Sequence, residues 1–140
     1  MAVTAGPDAG SRFGFTPGQE VQEFGYDDDV DQDVRSAVET LTGTELVGED
    51  YGDVVDGSLI WWRSSDSTDG DLTDLLVDAQ DNLDNGGVIA LLTPKAGRDG
   101  HVSPAELEDS ARTAGLQPTG VISVEGDWNG VRLLARERGR

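Results

Sequence analysis

Chemistry in this chain has to come from a few cations set against a large surplus of carboxylates. Lys95, Arg98 and His101 stand in one short stretch directly after the apolar run Val88 to Leu92, and Arg63 directly follows Leu59-Ile60-Trp61-Trp62. Cations placed just past two strand-like runs suit an anion crevice. The planar guanidinium groups of Arg63 and Arg98 can each grip a phosphate or carboxylate at two points, and Gly97 and Gly100 let backbone approach the ligand. The competing reading is internal: the same side chains would neutralise Asp27 to Asp31, and solvated pairs of that kind contribute little. The balance between the two favours the internal role. His101 is the single histidine, and in a loop it reads as a bystander rather than a general base.

Other constellations carry less. Asp27, Asp29 and Asp31 have the first three spacings of a calcium loop, but the sixth position is Gln32 rather than Gly and the twelfth is Val38 rather than Glu. A solvated helix N-terminus is the better reading, and no metal or cofactor is expected. Carboxylate pairs such as Asp53 with Asp56, or Glu106 with Asp109, carry no weight as acid/base catalysts in so acidic a chain. Trp61 and Trp62, adjacent in a strand, point to opposite faces and read as core. Trp128, at a hairpin tip, either folds back on the sheet or stands out as an anchor for a protein partner.

Composition narrows the classes further. The chain has 140 residues, 28 acidic against 10 basic, and a formal net charge of -18. That argues against binding a nucleic-acid backbone or an anionic membrane surface. With no cysteine, disulfides, thiolate metal sites and a Cys nucleophile are out. No apolar run approaches the roughly 18 residues of a membrane span, and the first residues lack the basic start and apolar centre of a signal peptide. A cytoplasmic location is expected.

The elements that must position these groups follow from periodicity and punctuation. Residues 1–16 show no periodicity and read as a disordered lead-in, with Phe13 and Phe15 available to tack its end down; 17–137 read as one domain. Glu20 to Phe24 alternates as a strand and stops at Gly25. Val30, Val34, Ala37, Val38 and Leu41 recur at helical spacing between an Asp cap and Gly43. Thr44 to Val47 is a possible short strand, and Ser58 to Trp62 a further one. Ser64 to Gly70 reads as a polar turn. Leu72, Leu75, Leu76, Ala79 and Leu83 form one helical stripe, closed by Asn85-Gly86. Val88 to Leu92, bounded by Gly-Gly and Pro94, is a buried central strand, since Pro94 has no N–H for the ladder. Ser103-Pro104-Ala105-Glu106 is a capping box opening a helix that ends at Gly115. Thr119 to Val124 and Val131 to Arg136 are two strands, joined through Asn129-Gly130 as a hairpin turn.

Strands alternating with helices and closing on a hairpin imply an α/β, Rossmann-like three-layer sandwich with a mostly parallel sheet and a C-terminal antiparallel hairpin. From Asp56 to Ala135 the order of elements resembles the second half of a class I methyltransferase. Phe24-Gly25-Tyr26-Asp27-Asp28-Asp29-Val30-Asp31, Leu59-Ile60-Trp61-Trp62-Arg63 and Leu92-Thr93-Pro94-Lys95-Ala96-Gly97-Arg98 together resemble a family of short acidic actinobacterial proteins known only as a domain of unknown function. The methyltransferase resemblance implies a Gly-rich turn after the first strand, over which S-adenosylmethionine is held, and an acidic residue after the second for the ribose. Here the first turn is Glu23-Phe24-Gly25-Tyr26-Asp27, one glycine followed by a ring and carboxylates, which leaves little room and repels the cofactor's carboxylate. The reading that results is a small non-enzymatic binding or regulatory module with a degenerate cofactor site. Two alternatives stay open: a transferase-like enzyme acting on an anionic small molecule beside Arg63 and Arg98, and an adaptor that meets a protein partner through its acidic face and Trp128.

Overall fold

The computed structural model describes residues 13–64, 71–124 and 126–135. Most of the expected lead-in lies outside the described residues, as do most of the Ser64 to Gly70 turn and the tail beyond Ala135. Where it is described, the lead-in belongs to the core: Phe13 and Phe15 are each 1% exposed and share a cluster with Val21, Leu59 and Trp61. Two fully buried rings hold this segment onto the sheet, as the tacking role of Phe13 and Phe15 requires.

Strand β1 (Val21–Phe24) ends at Gly25, whose φ of 79° is open to glycine and strained for other residues. Helix α1 (Gln32–Thr42) starts where the Asp31 carboxylate accepts from Asp33 N and Val34 N, and stops at Gly43 in the left-handed region. Strand β2 (Val55–Trp61) is followed by α2 (Leu72–Ala79), capped by Asp71. Strand β3 (Leu83–Pro94) is the longest, and α3 (Pro104–Thr113) follows it with Ser103 Oγ accepting from Glu106 N at 3.3 Å. Strands β4 (Leu116–Ser123) and β5 (Trp128–Ala135) complete the chain.

The sheet order is β1-β2-β3-β5-β4, with β1, β2 and β3 parallel and β5 antiparallel to both β3 and β4. The possible strand over Thr44 to Val47 is reduced to one bridge, Val47 to Gln22, on the outer side of β1. Helices α2 and α3 bury Leu72, Leu76, Leu107 and Ala111 against Ile60, Ile89, Leu91 and Leu133. On the other face α1 and the Phe13–Phe15 segment cover Leu59, Trp61, Ala90 and Leu92. This is a Rossmann-like three-layer α/β sandwich, and Trp61 and Trp62 lie in opposite layers as their alternation requires. Among the described residues no helix is long and apolar enough to cross a membrane.

Two element boundaries differ from the sequence reading. Leu83 continues the helical stripe in sequence, but α2 has ended and Leu83 pairs with Val55 in the sheet. A bulge then carries the register on to Gly57 and Val88, with Gly86 at φ 75° inside it. Asn129-Gly130 is not the hairpin turn either: both residues lie within β5, paired with Ser123 and Ile122. Gly130 is required for another reason, because a Cβ there would overlap the Leu91 carbonyl on β3.

Candidate functional site

Arg63 lies two residues past the end of β2 and is only 12% exposed at its side chain. Its Nε and Nη2 donate to the two Asp29 carboxylate oxygens at 2.9 and 2.5 Å, and Nη1 donates to Gly25 O at 3.0 Å. The guanidinium also sits 5.1 Å from the centre of the Trp128 ring. That hydrogen bond holds the Asp29 carboxyl below its ordinary value, against the opposing effect of partial burial. The internal reading of Arg63 is therefore the one its contacts match.

The loop after Pro94 is tied in the same way. Lys95 Nζ donates to Val124 O at 2.7 Å, Arg98 pairs with Asp127, and His101 Nδ1 lies 2.7 Å from Pro94 O. Gly97 has φ 87° and open space where a Cβ would stand. The structure does bring this loop and Arg63 to one edge of the sheet: Ser64 N donates to Gly100 O at 2.9 Å, and a Cβ on Gly100 would lie 3.1 Å from Arg63 Cβ. Each of these four side chains nonetheless faces an acceptor from the chain itself.

Trp128 takes the fold-back alternative. It is 3% exposed, its ring meets Trp61 edge to face with centroids 4.9 Å apart, and its Nε1 donates to Asp29 O at 3.0 Å. A side chain so enclosed offers no exposed anchor to a partner, which corrects that expectation. Trp61 is satisfied from the other side by Glu23 Oε2 at 2.8 Å, a carboxylate that also receives Arg35 Nε and Nη2 at 2.7 and 2.9 Å. That contact raises the Arg35 guanidinium above its ordinary value.

The chain leaves β1 towards Val47 on its outer side and returns to β2 on its inner side, which creates the reversal of direction where open α/β sheets hold ligands. A cavity of about 460 Å³ lies there, lined by the Gly25 to Asp27 turn, Glu49, Trp61 to Arg63, and Asp71, Asp74, Leu75 and Asp78 of α2 and its cap. Lys95, Gly97, Arg98 and His101 do not line it. Gly25 is engaged on every side: its N–H donates to Glu49 Oε2 at 2.8 Å, its carbonyl accepts from Arg63, and a Cβ would overlap the Trp61 carbonyl. Buried Gln22 places Glu49, since its Nε2 donates to the carbonyls of Gly48, Glu49 and Tyr51 at 3.0 to 3.3 Å.

Sequence reasoning missed Glu49, Asp71, Asp74 and Asp78 as crevice residues. Their one signal is the i, i+3, i+7 spacing of the three aspartates, which in a chain with 28 acidic residues looks like any solvated helix face.

Residues 10–137 match the family described as "Protein of unknown function (DUF3052)". The chain belongs to this DUF3052 family. Uncharacterized proteins of Mycobacterium tuberculosis and Mycobacterium bovis are similar to it, each 46% identical over 123 residues, covering 88% of this chain and 75% of theirs. Among solved structures, this DUF3052 chain is similar to a SAM dependent methyltransferase from Aquifex aeolicus, with a TM-score of 0.59 at 15% identity over 89% of this chain and 86% of that one. A methyltransferase from Methanosarcina mazei is similar too, with a TM-score of 0.56 at 10% identity over 89% and 95% of the two chains. At such identities the likeness is one of fold: the DUF3052 domain has a methyltransferase-like, Rossmann-like architecture.

Proposed function

We propose that this protein is a small cytoplasmic, non-enzymatic binding or regulatory module, built on a methyltransferase-like frame whose cofactor turn is taken up by its own side chains. The observation that carries this reading is Gly25. A turn that holds S-adenosylmethionine must present free backbone to the ligand, and here the N–H is held by Glu49, the carbonyl by Arg63, and the Cβ space by Trp61 O. Asp27, Asp71, Asp74 and Asp78 around the same cavity oppose the cofactor's carboxylate while attracting its ammonium and sulfonium, so the misfit rests on the Gly25 backbone. The Gly25 turn does not fit that cofactor.

The alternative of an anion-processing enzyme at Arg63 and Arg98 is less well supported, because each guanidinium already holds a carboxylate of the chain. Calorimetric titration with S-adenosylmethionine and with S-adenosylhomocysteine tests the proposal. No saturable heat is expected at micromolar concentrations; a one-site isotherm with either compound would overturn the degenerate-site reading.

A further inference from the structure

We infer that the outer edge of β4 docks a second copy of this chain, the two β4 strands pairing antiparallel about a two-fold axis and joining two five-stranded sheets into one. Charge is missing along this strand. From Thr113 to Val124 no residue is charged, and that is the longest uncharged run in the chain. The next longest, Asn85 to Pro94, is explained by burial, since it lies in β3 between β2 and β5. Burial does not explain β4. It is the last strand of the sheet, alternate residues from Gln117 to Ser123 are exposed, and among the described residues no strand lies beyond it.

An open edge normally carries charges that keep other strands away. Here only the first half is blunted, by Pro118, which has no N–H, and by the bulge at Thr119, whose Oγ1 accepts from Arg132 Nε of β5 at 3.1 Å. Beyond the bulge, Gly120 to Ser123 pairs in regular register with β5 and includes Val121, at 72% exposure the most exposed large apolar side chain among the described residues. Its partner Val131 is buried, because β5 has a strand on each side and β4 has one. A strand added at this edge would cover Val121 as β4 covers Val131.

Net charge selects the occupant. At a formal -18, two copies repel wherever their charged surfaces meet, so contact between them is least opposed where no charges come together. A basic partner would be drawn to carboxylate-rich surface instead, and an acidic one repelled. A neutral edge with Val121 and Ile122 side by side is complementary to itself. So short a ladder falls below the about 1,200 Å² of a standard interface, and the dimer is weak, with a dissociation constant between about 10 µM and about 1 mM.

Sedimentation of the whole protein from about 10 µM to about 2 mM tests this. A reversible equilibrium between monomer and dimer is expected, with amide exchange over Gly120 to Ile122 slowing as the dimer forms. Raising salt from about 50 to about 300 mM should tighten the dimer several-fold by screening the repulsion. Val121→Glu should weaken it by about tenfold or more, whereas Val54→Glu, the same charge change at another exposed valine, should leave it within about twofold. A monomer at every concentration, equal losses in the two variants, or a dimer weakened by salt would each overturn the assignment. So would protection of the Gly120 to Ile122 amides that does not vary with concentration, since the chain's own ends would then be covering the edge.

Discussion

Asp29 meets Arg63 through its carboxylate and Trp128 through its backbone carbonyl, so this one residue joins the turn after β1 to the end of β2 and to the hairpin. Its carboxyl titrates below the ordinary 3.8, chiefly through the hydrogen bond from Arg63. A depressed folded-state value means that the pair's stabilisation is complete above about pH 4 and is lost as pH falls through the lowered value. Arg63→Gln should therefore flatten the acid limb of stability below about pH 4, read as the urea midpoint across a pH series; an unchanged limb would assign it to other carboxylates. Arg98 and Asp127 are both more than half exposed, so Arg98→Ala should cost at most about 0.5 kcal/mol. Trp128→Ala should cost about 3 to 5 kcal/mol in the same measurement, because it empties a fully enclosed ring site. The sequence does show that three cations and the single histidine follow strand ends. It does not show their partners, because pairing across the sheet edge depends on which of many acidic residues the loops bring alongside.

At the scale of elements, punctuation is legible where a residue type has one use and misleading where it has two. Ser103-Pro104-Ala105-Glu106 has one use, and α3 starts there. Ser103→Ala should cost about 1 kcal/mol by chemical denaturation. Asn-Gly has two uses: it suits a tight turn, and its glycine also suits close contact between strands. The second applies at Gly130, and the turn falls between Ser123 and Trp128 instead. Gly130→Ala should accordingly destabilise by more than about 3 kcal/mol, since a Cβ against the Leu91 backbone cannot be relieved by rotating a side chain. The α2 stripe is correct through Ala79, and Leu76, fully buried, should cost about 2 to 5 kcal/mol on truncation to alanine. Leu83 keeps the helical period by coincidence, because a buried position at the entry to a strand is apolar too.

For the whole molecule, the layers and their order follow from alternation and helix stripes, whereas the crevice depends on a reversal of chain direction marked by a single bridge at Val47. A one-residue strand leaves no periodicity to read. Net charge acts at this scale as well: with -18 on 140 residues, self-repulsion opposes the folded state. Raising salt from about 20 to about 300 mM should raise the melting temperature by a few degrees; a fall would mean that the ion pairs outweigh the repulsion. The hydrogen bond from Trp128 to Asp29 spans 99 positions. During synthesis, therefore, the turn that shapes the crevice emerges early and must wait for nearly the whole chain before its support exists. A nascent chain halted before the hairpin would lack this contact, so the turn after β1 gains its tie to the hairpin only in the finished protein.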